Sequence, residues 1–294
     1  MSPRVLLMVN RDKPRVRAAL DEVRSIIAQH GELAAELDAN DGPLDDAHRA
    51  DLIMVLGGDG TFLAQVRRCA DLGLPMMGVN FGNLGFLAEF DLDSLRAQAK
   101  SLLGKGEITT TDRLLIACEV LRGKRKNPVF AGLALNDWVI TAGAPFRLIE
   151  IQLVFDGTDG PLLRGDGLIV SSPTGSTGYS VSAGGPIVAP GVEAMAITPI
   201  AAHSLGFRPL VVPTSTRLEL ILERANAGIG PGGSLDASVG TTLVQDGQVL
   251  VPLEHGDRLR ITRHPKAVRL VRNPEGSYWR TLMRKMHWAT PPSP

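Results

Sequence analysis

The chain has 294 residues, enough for one large or two ordinary domains with real cores, and its 44% hydrophobic and 21% charged residues are those of a globular protein. Lys plus Arg and Asp plus Glu balance at 31 each, so no global basic field points to nucleic acid or an anionic membrane. Cys69 and Cys118 lie far apart with no CxxC, no leader-like segment opens the chain, and no apolar run approaches spanning length, so a disulfide framework, a zinc site and a membrane span are not expected and the expected location is cytoplasmic.

Arg4 to Val9 reads as a short apolar strand, and Pro14 to Gln29 places Val16, Leu20, Val23 and Ile27 on one helical face. Leu52 to Leu56 is the next strand. Gly57-Gly58-Asp59-Gly60 follows as a turn, then a helix to about Asp71 carrying Phe62, Leu63 and Val66. Met76 to Asn80 reads as a third strand ending in Phe81-Gly82-Asn83-Leu84-Gly85-Phe86, and Leu92 to Leu103 as a helix. Alternating strands and helices imply an open α/β domain on a parallel sheet, whose ligands collect at the carboxyl ends of the strands.

The pattern changes after about Thr111. Leu114 to Leu121, Val129 to Ile140, Arg147 to Phe155, Arg217 to Glu223 and Arg258 to Arg263 are β-rich, and several alternate, as in Arg217-Leu218-Glu219-Leu220. This is a second, mostly antiparallel β domain. The expected boundaries are 1–111, 112–266 and a terminal segment 267–294, in which Tyr278, Trp279, Leu282, Met283 and Met286 form an amphipathic helix before a disordered tail. Arg122 to Lys126 reads as a solvated hairpin tip, Ala225 to Gly240 as a mobile loop, and His203 as a satisfied core residue.

The glycine turn carries the first chemical signal. Amides of a strand–turn–helix junction can cradle phosphate oxygens at the positive helix end, which makes Gly57, Gly58 and Gly60 candidate phosphate-binding positions. Asp59 inside that turn is poorly suited to holding phosphate and well suited to taking a proton from an attacking hydroxyl. The competing reading is a helix N-cap, but flanking glycines leave the carboxylate uncovered, which a cap does not need. GxxxxGK[ST], a GxGxxG after the first strand and a GxSxG elbow are all missing, so a P-loop enzyme, a Rossmann dehydrogenase and an α/β-hydrolase are unsupported.

Gly165 to Pro190 packs glycines, hydroxyls and a tyrosine between two apolar runs. The hydroxyls of Ser172 to Thr177 suit a ligand rich in ribose and phosphate oxygens, where Tyr179 can stack on a purine and Gly178 lets a base approach the backbone. A tight β corner of ordinary turn residues is the bland alternative. Asn136-Asp137 interrupts an apolar strand, which is costly unless the pair is bonded, and a strand end with an Asx turn competes there. The 6 histidines lack ligand spacing, so no resident metal is expected.

Together, Gly57 to Gly60, Asn80 to Leu87, Leu135-Asn136-Asp137, Asp166-Gly167 with Ser172 to Pro186, and Arg208-Pro209-Leu210 resemble the NAD kinase family. The glycine turn alone is shared with 6-phosphofructokinases and with diacylglycerol and sphingosine kinases; the long Pro173 to Pro186 segment is far more specific. The resemblance implies an α/β N-terminal Rossmann-like domain and a C-terminal all-β sandwich, with the last helix packing back on the first domain. It implies transfer of the ATP γ-phosphate to the 2′-hydroxyl of the adenosine ribose of NAD, with Mg²⁺ delivered on ATP, in a homodimer or homotetramer whose neighbouring subunit helps form the site. By that analogy Asp59 is the proton acceptor, and Gly60, Asn136, Asp137, Asp166, Thr177, Tyr179 and Ser182 line the NAD site, with Arg147, Arg164, Thr174, Ala201 and Gln248 more loosely matched and Gly178 beneath the base. The family usually has Glu where Asp137 stands and Ala where Gly178 stands. A lipid or sugar kinase and a non-catalytic dinucleotide sensor are the alternatives.

Overall fold

A computed structural model describes residues 2–40, 44, 49–82, 85–104, 108–228 and 240–286. The chain divides into two compact units, residues 1–112 with 268–294, and residues 113–267.

The first unit is built from β1 (Arg4–Val9), α1 (Pro14–His30), β2 (Glu32–Asp38), β3 (Leu52–Leu56), α2 (Asp59–Cys69), β4 (Met76–Val79) and α3 (Leu92–Leu102). Its strands lie parallel in the order β2-β1-β3-β4. β1 from Val5 onward, and β3 and β4 along their whole length, are buried, as apolar runs covered by helices should be. The apolar stripe of α1 (Val16, Leu20, Val23, Ile27) packs with Leu95, Ala99 and Leu102 of α3 and with Val5, Leu7 and Val9 into one core. The sequence reading had no counterpart to β2, whose residues are exposed or half-buried.

The second unit holds most of β5 (Thr110–Leu121), then β6 (Phe130–Ala134), β7 (Asp137–Thr141), β8 (Ile149–Phe155), β9 (Thr158–Gly165), β10 (Gly167–Ser171), the single-turn α4 (Tyr179–Ser182), β11 (Ala194–Ile200), β12 (Leu210–Pro213), β13 (Leu218–Arg224), β14 (Thr242–Gln245), β15 (Val249–Pro252) and most of β16 (Arg258–Val271). One antiparallel sheet runs β12-β11-β10-β7-β14-β15; the other runs β16-β13-β8-β9, with β5 and β6 joined to it. Trp138, Ile140, Leu168, Val170, Met195 and Ile197 of the first sheet meet Ile116, Ile151, Leu153, Leu218, Leu220 and Ile261 of the second in a shared core, which makes this unit a β-sandwich. The indole N–H of Trp138 donates to the Ile116 carbonyl at 3.0 Å, so the largest core side chain is buried with its polar atom satisfied.

Three local readings need correction. Val129 to Ile140 is not one strand, because pairing stops at Leu135–Asn136. Arg122 is not a solvated tip residue: its guanidinium grips Asp257, which is 0% exposed, at 2.7–2.8 Å, and Glu254 at 2.6 Å. His203 is exposed rather than core. The loop expected over 225–240 falls largely, and the tail wholly, outside the described residues. After β16 the chain forms α5 (Tyr278–Met286), part of the first unit. Both cysteines are buried, and burial pushes the Cys69 thiol up to about 11. No helix among the described residues is long and apolar enough to cross a membrane.

Candidate active site

In the first unit, β1 and β3 are neighbours whose crossovers leave in opposite directions along the sheet, so their carboxyl ends form a topological switch point, where open α/β sheets leave a crevice. A cleft of about 420 Å³ lies there, lined by Lys13, Pro14, Arg15, Gly57, Asn80 and Gly82 among others. Pro14 opens α1, and Lys13 stands at its N-cap without a side-chain cap bond. A β-carbon on Gly58 would lie 3.5 Å from the Lys13 Nζ, so this cation sits directly on the glycine turn.

Gly58, not Asp59, is the N-cap of α2, and Asp59 is the first helical residue. Its carboxylate serves neither as a cap nor uncovered. Oδ2 accepts the Phe86 amide at 2.9 Å, and Oδ1 accepts those of Leu87 and Ala88 at 3.2 and 3.0 Å. A carboxylate offers about four acceptor positions, so three amides leave room for one further donor such as a hydroxyl. Gly57 cannot serve as expected: its amide is spent on the Val79 carbonyl at 2.9 Å, and the residue is buried, with Thr61 2.6 Å from where a β-carbon would be. The turn's outward positions are Gly58, half-buried, and Gly60, exposed.

In the second unit the hydroxyl-rich segment divides by role. Ser172 and Ser176 are 0% exposed and tied to the main chain, Ser172 donating to Leu135 O at 2.5 Å and Ser176 to Pro173 O at 2.7 Å. They build the corner and cannot meet a ligand. Thr174 is buried, Thr177 half-buried and donating to Thr174 O, while Gly178, Tyr179 (50% exposed) and Ser182 face outward.

Asn136 is half-buried and Asp137 buried, side by side at the edge of β7. Burial, and secondarily the negative charge of Asp246, push the Asp137 carboxyl up to about 7. Asp246 is a site residue that the sequence reading missed. Its signal was present, because Asp246-Gly247 between Thr242-Leu243-Val244 and Val249-Leu250-Val251 is a two-residue hairpin pattern. Lys13 and Gly85 were missed as well.

The sheet register separates the expected NAD contacts into two groups. Asp137 pairs with Ser171, so Asn136, Asp137, Thr174, Thr177, Gly178, Tyr179 and Gln248 gather at one end, with Ser182 following in α4. Gly167 pairs with Thr141 and Ile200, so Asp166, Ala201, Arg147 and Arg164 gather at the other. Four residue steps of strand separate the ends, about 14 Å. At that second end Asp166 is exposed, its amide bonded to Ile200 O; Arg164 pairs with Glu150 at 3.2 Å; Arg147 is exposed; and Ala201 holds φ +44°, a conformation uncommon for a residue with a β-carbon.

Two family models match this chain, that of the ATP-NAD kinase N-terminal domain over residues 17–108 and that of the ATP-NAD kinase C-terminal domain over residues 135–273. The chain belongs to the NAD kinase family. Curated relatives named NAD kinase include one from Aromatoleum aromaticum, 41% identical over 83% of this chain and 76% of the relative, and one from Rhodopirellula baltica, 35% identical over 98% and 87%. The fold is similar to a crystal structure of an NAD kinase from Archaeoglobus fulgidus in complex with ATP (26% identity, TM-score 0.72, 97% and 98% covered). It is also similar to yeast NADH kinase complexed with NADH (23% identity, TM-score 0.81, 98% and 88% covered), a likeness of fold.

Proposed function

We propose that this NAD kinase family member transfers the γ-phosphate of ATP to the 2′-hydroxyl of the adenosine ribose of NAD, giving NADP and ADP. One observation carries the reading: a chain matched by both NAD kinase domain models presents, at its glycine turn, a single carboxylate held in place with one acceptor position to spare. A lipid or sugar kinase would share the glycine turn but has no use for the C-terminal match, and a silent sensor has no use for a carboxylate mounted beside a basic cleft.

In the proposed mechanism the 2′-hydroxyl donates to Asp59. As its oxygen bonds to the γ-phosphorus, the proton passes to the carboxylate and the bridging oxygen leaves with ADP. Phosphoryl transfer asks the protein chiefly for position and charge balance, which Lys13 and the turn at Gly58 and Gly60 supply. The divalent cation, Mg²⁺ in this reading, enters on the phosphates of ATP; among the described residues no group of three or more His, Cys, Asp or Glu is placed to hold it.

Asn136, Asp137, Thr174, Thr177, Gly178, Tyr179, Ser182 and Gln248 are assigned to NAD. Arg147, Arg164, Asp166 and Ala201 are assigned to the same ligand from the opposite sheet end of a second copy, an arrangement that brings together two groups lying about 14 Å apart along the strands of one copy. A homodimer is the smallest assembly that does so, and a cytoplasmic location accompanies it.

Two assays test this. Purified protein with Mg-ATP and NAD should form NADP, detected by an NADP-specific dehydrogenase; no NADP overturns the assignment. Mixing inactive Asp59→Asn and Asp166→Ala copies should then restore up to about a quarter of the activity, because a mixed dimer has one intact composite site of two. No recovery from re-associated mixed dimers would place both groups in one copy.

A further inference from the structure

The chain between β6 and β7 cannot continue the ladder, yet Leu135, Asn136 and Asp137 are held as firmly as strand residues. Their amides converge on one side chain: Asp246 Oδ1 accepts Asn136 N at 2.7 Å and Asp137 N at 3.2 Å, and Oδ2 accepts Leu135 N at 3.2 Å. The Asp246 amide returns a bond to the Asp137 carbonyl at 3.0 Å. From the β10 side, Ser172 N donates to Asn136 O at 2.8 Å, and Gly175 lies so close that a β-carbon would stand 2.2 Å from that oxygen. Asp246 itself is only 5% exposed.

Asp246 and Gly247, with φ of +49° and +67°, are the central residues of a hairpin turn closed by Gln248 N to Gln245 O at 2.9 Å. Positive φ at both places is the type I′ pattern, for which Asn-Gly and Gly-Gly serve as well as Asp-Gly. The turn therefore does not require a carboxylate. A negative charge here also repels the neighbouring Asp137, an electrostatic cost that a neutral turn residue would avoid. What a carboxylate does and a neutral residue does not is receive three convergent amides from the segment carrying Asn136 and Asp137.

We propose that Asp246 is a positioning residue for NAD: it fixes the main chain of Leu135–Asp137 and thereby aims the Asn136 and Asp137 side chains at the dinucleotide. This rests on the assignment of those two residues to the NAD site. Asp246 does not touch substrate and acts through the backbone of its neighbours.

Because Gly-Gly and Asn-Gly keep the hairpin, Asp246→Gly removes the carboxylate and Asp246→Asn weakens it without spoiling the turn. Amide hydrogen exchange at Leu135–Asp137 and steady-state kinetics for both substrates should be measured on the full-length enzyme. In Asp246→Gly those amides should lose protection and KM for NAD should rise about tenfold or more with KM for ATP unchanged, as loss of a positioning element predicts, and Asp246→Asn should fall between. Unchanged KM for NAD despite deprotected amides, or equal rises in KM for both substrates, would overturn the proposal. Absence of NADP formation by the unaltered enzyme would instead overturn the kinase assignment, while the exchange data would still report on the clamp.

Discussion

A β-carbon on Gly85 would stand 1.8 Å from Oδ1 of Asp59. No real side chain tolerates that approach, so glycine at this position is what lets the loop fold its next three amides onto the carboxylate. The proton acceptor of the proposed reaction is thus placed by a segment 26 residues further along the chain.

Gly85→Ala must move either the carboxylate or the loop. A displacement near 1 Å at a reacting group can cost about 100-fold in rate. The expected result is a loss of that order in kcat with little change in KM for NAD. Steady-state NADP formation checks it.

Lys13 is exposed, outside the folding core, and stands on the glycine turn. Lys13→Ala should leave thermal stability within about 0.5 kcal/mol, as surface substitutions usually do. It should raise KM for ATP while leaving KM for NAD alone. Initial rates over both substrates separate the two.

Asp137 supplies a pH dependence whose sign can be worked out. Its folded carboxyl titrates near 7, above the ordinary range near 3.9, so the folded state binds the extra proton. Its contribution favours folding below the unfolded value and is lost as pH rises from about 4 through 7. Asp137→Asn cannot titrate. The melting temperature of the variant minus that of the unaltered protein should therefore increase from pH 5 to pH 8, as calorimetry at the two pH values would register.

The parts of this molecule legible in the sequence are those whose pattern is local. Val5–Val9 and Leu52–Leu56 announce themselves as buried strands because nothing in them is polar, and α1 because its apolar residues recur at helical spacing. β2 was illegible because Glu32–Asp38 is an edge strand rich in Glu and Ala, residues without strand preference, and it is set in place by pairing with β1. The site was legible as motifs and illegible as contacts. Ser172 and Ser176 look like Thr174 and Thr177 in the sequence, and only packing turns the first two inward. Asp59 was readable as a lone acid among glycines, but its three amide partners lie 27 to 29 positions away. Asp246 reaches across 109 to 111 positions to Leu135–Asp137, which no local pattern encodes.

The central claim is that Asp59 takes the proton of the attacking hydroxyl, and single-turnover NADP formation by Asp59→Asn tests it most directly. Asn turns one oxygen into an N–H₂ group facing a loop amide, so a stability loss on the order of 1–3 kcal/mol should accompany the substitution. The rate must therefore be read at a temperature where the variant is folded. With NAD and Mg-ATP saturating, the account predicts a fall of at least ~100-fold. A folded variant that forms NADP as fast as the unaltered enzyme would contradict it.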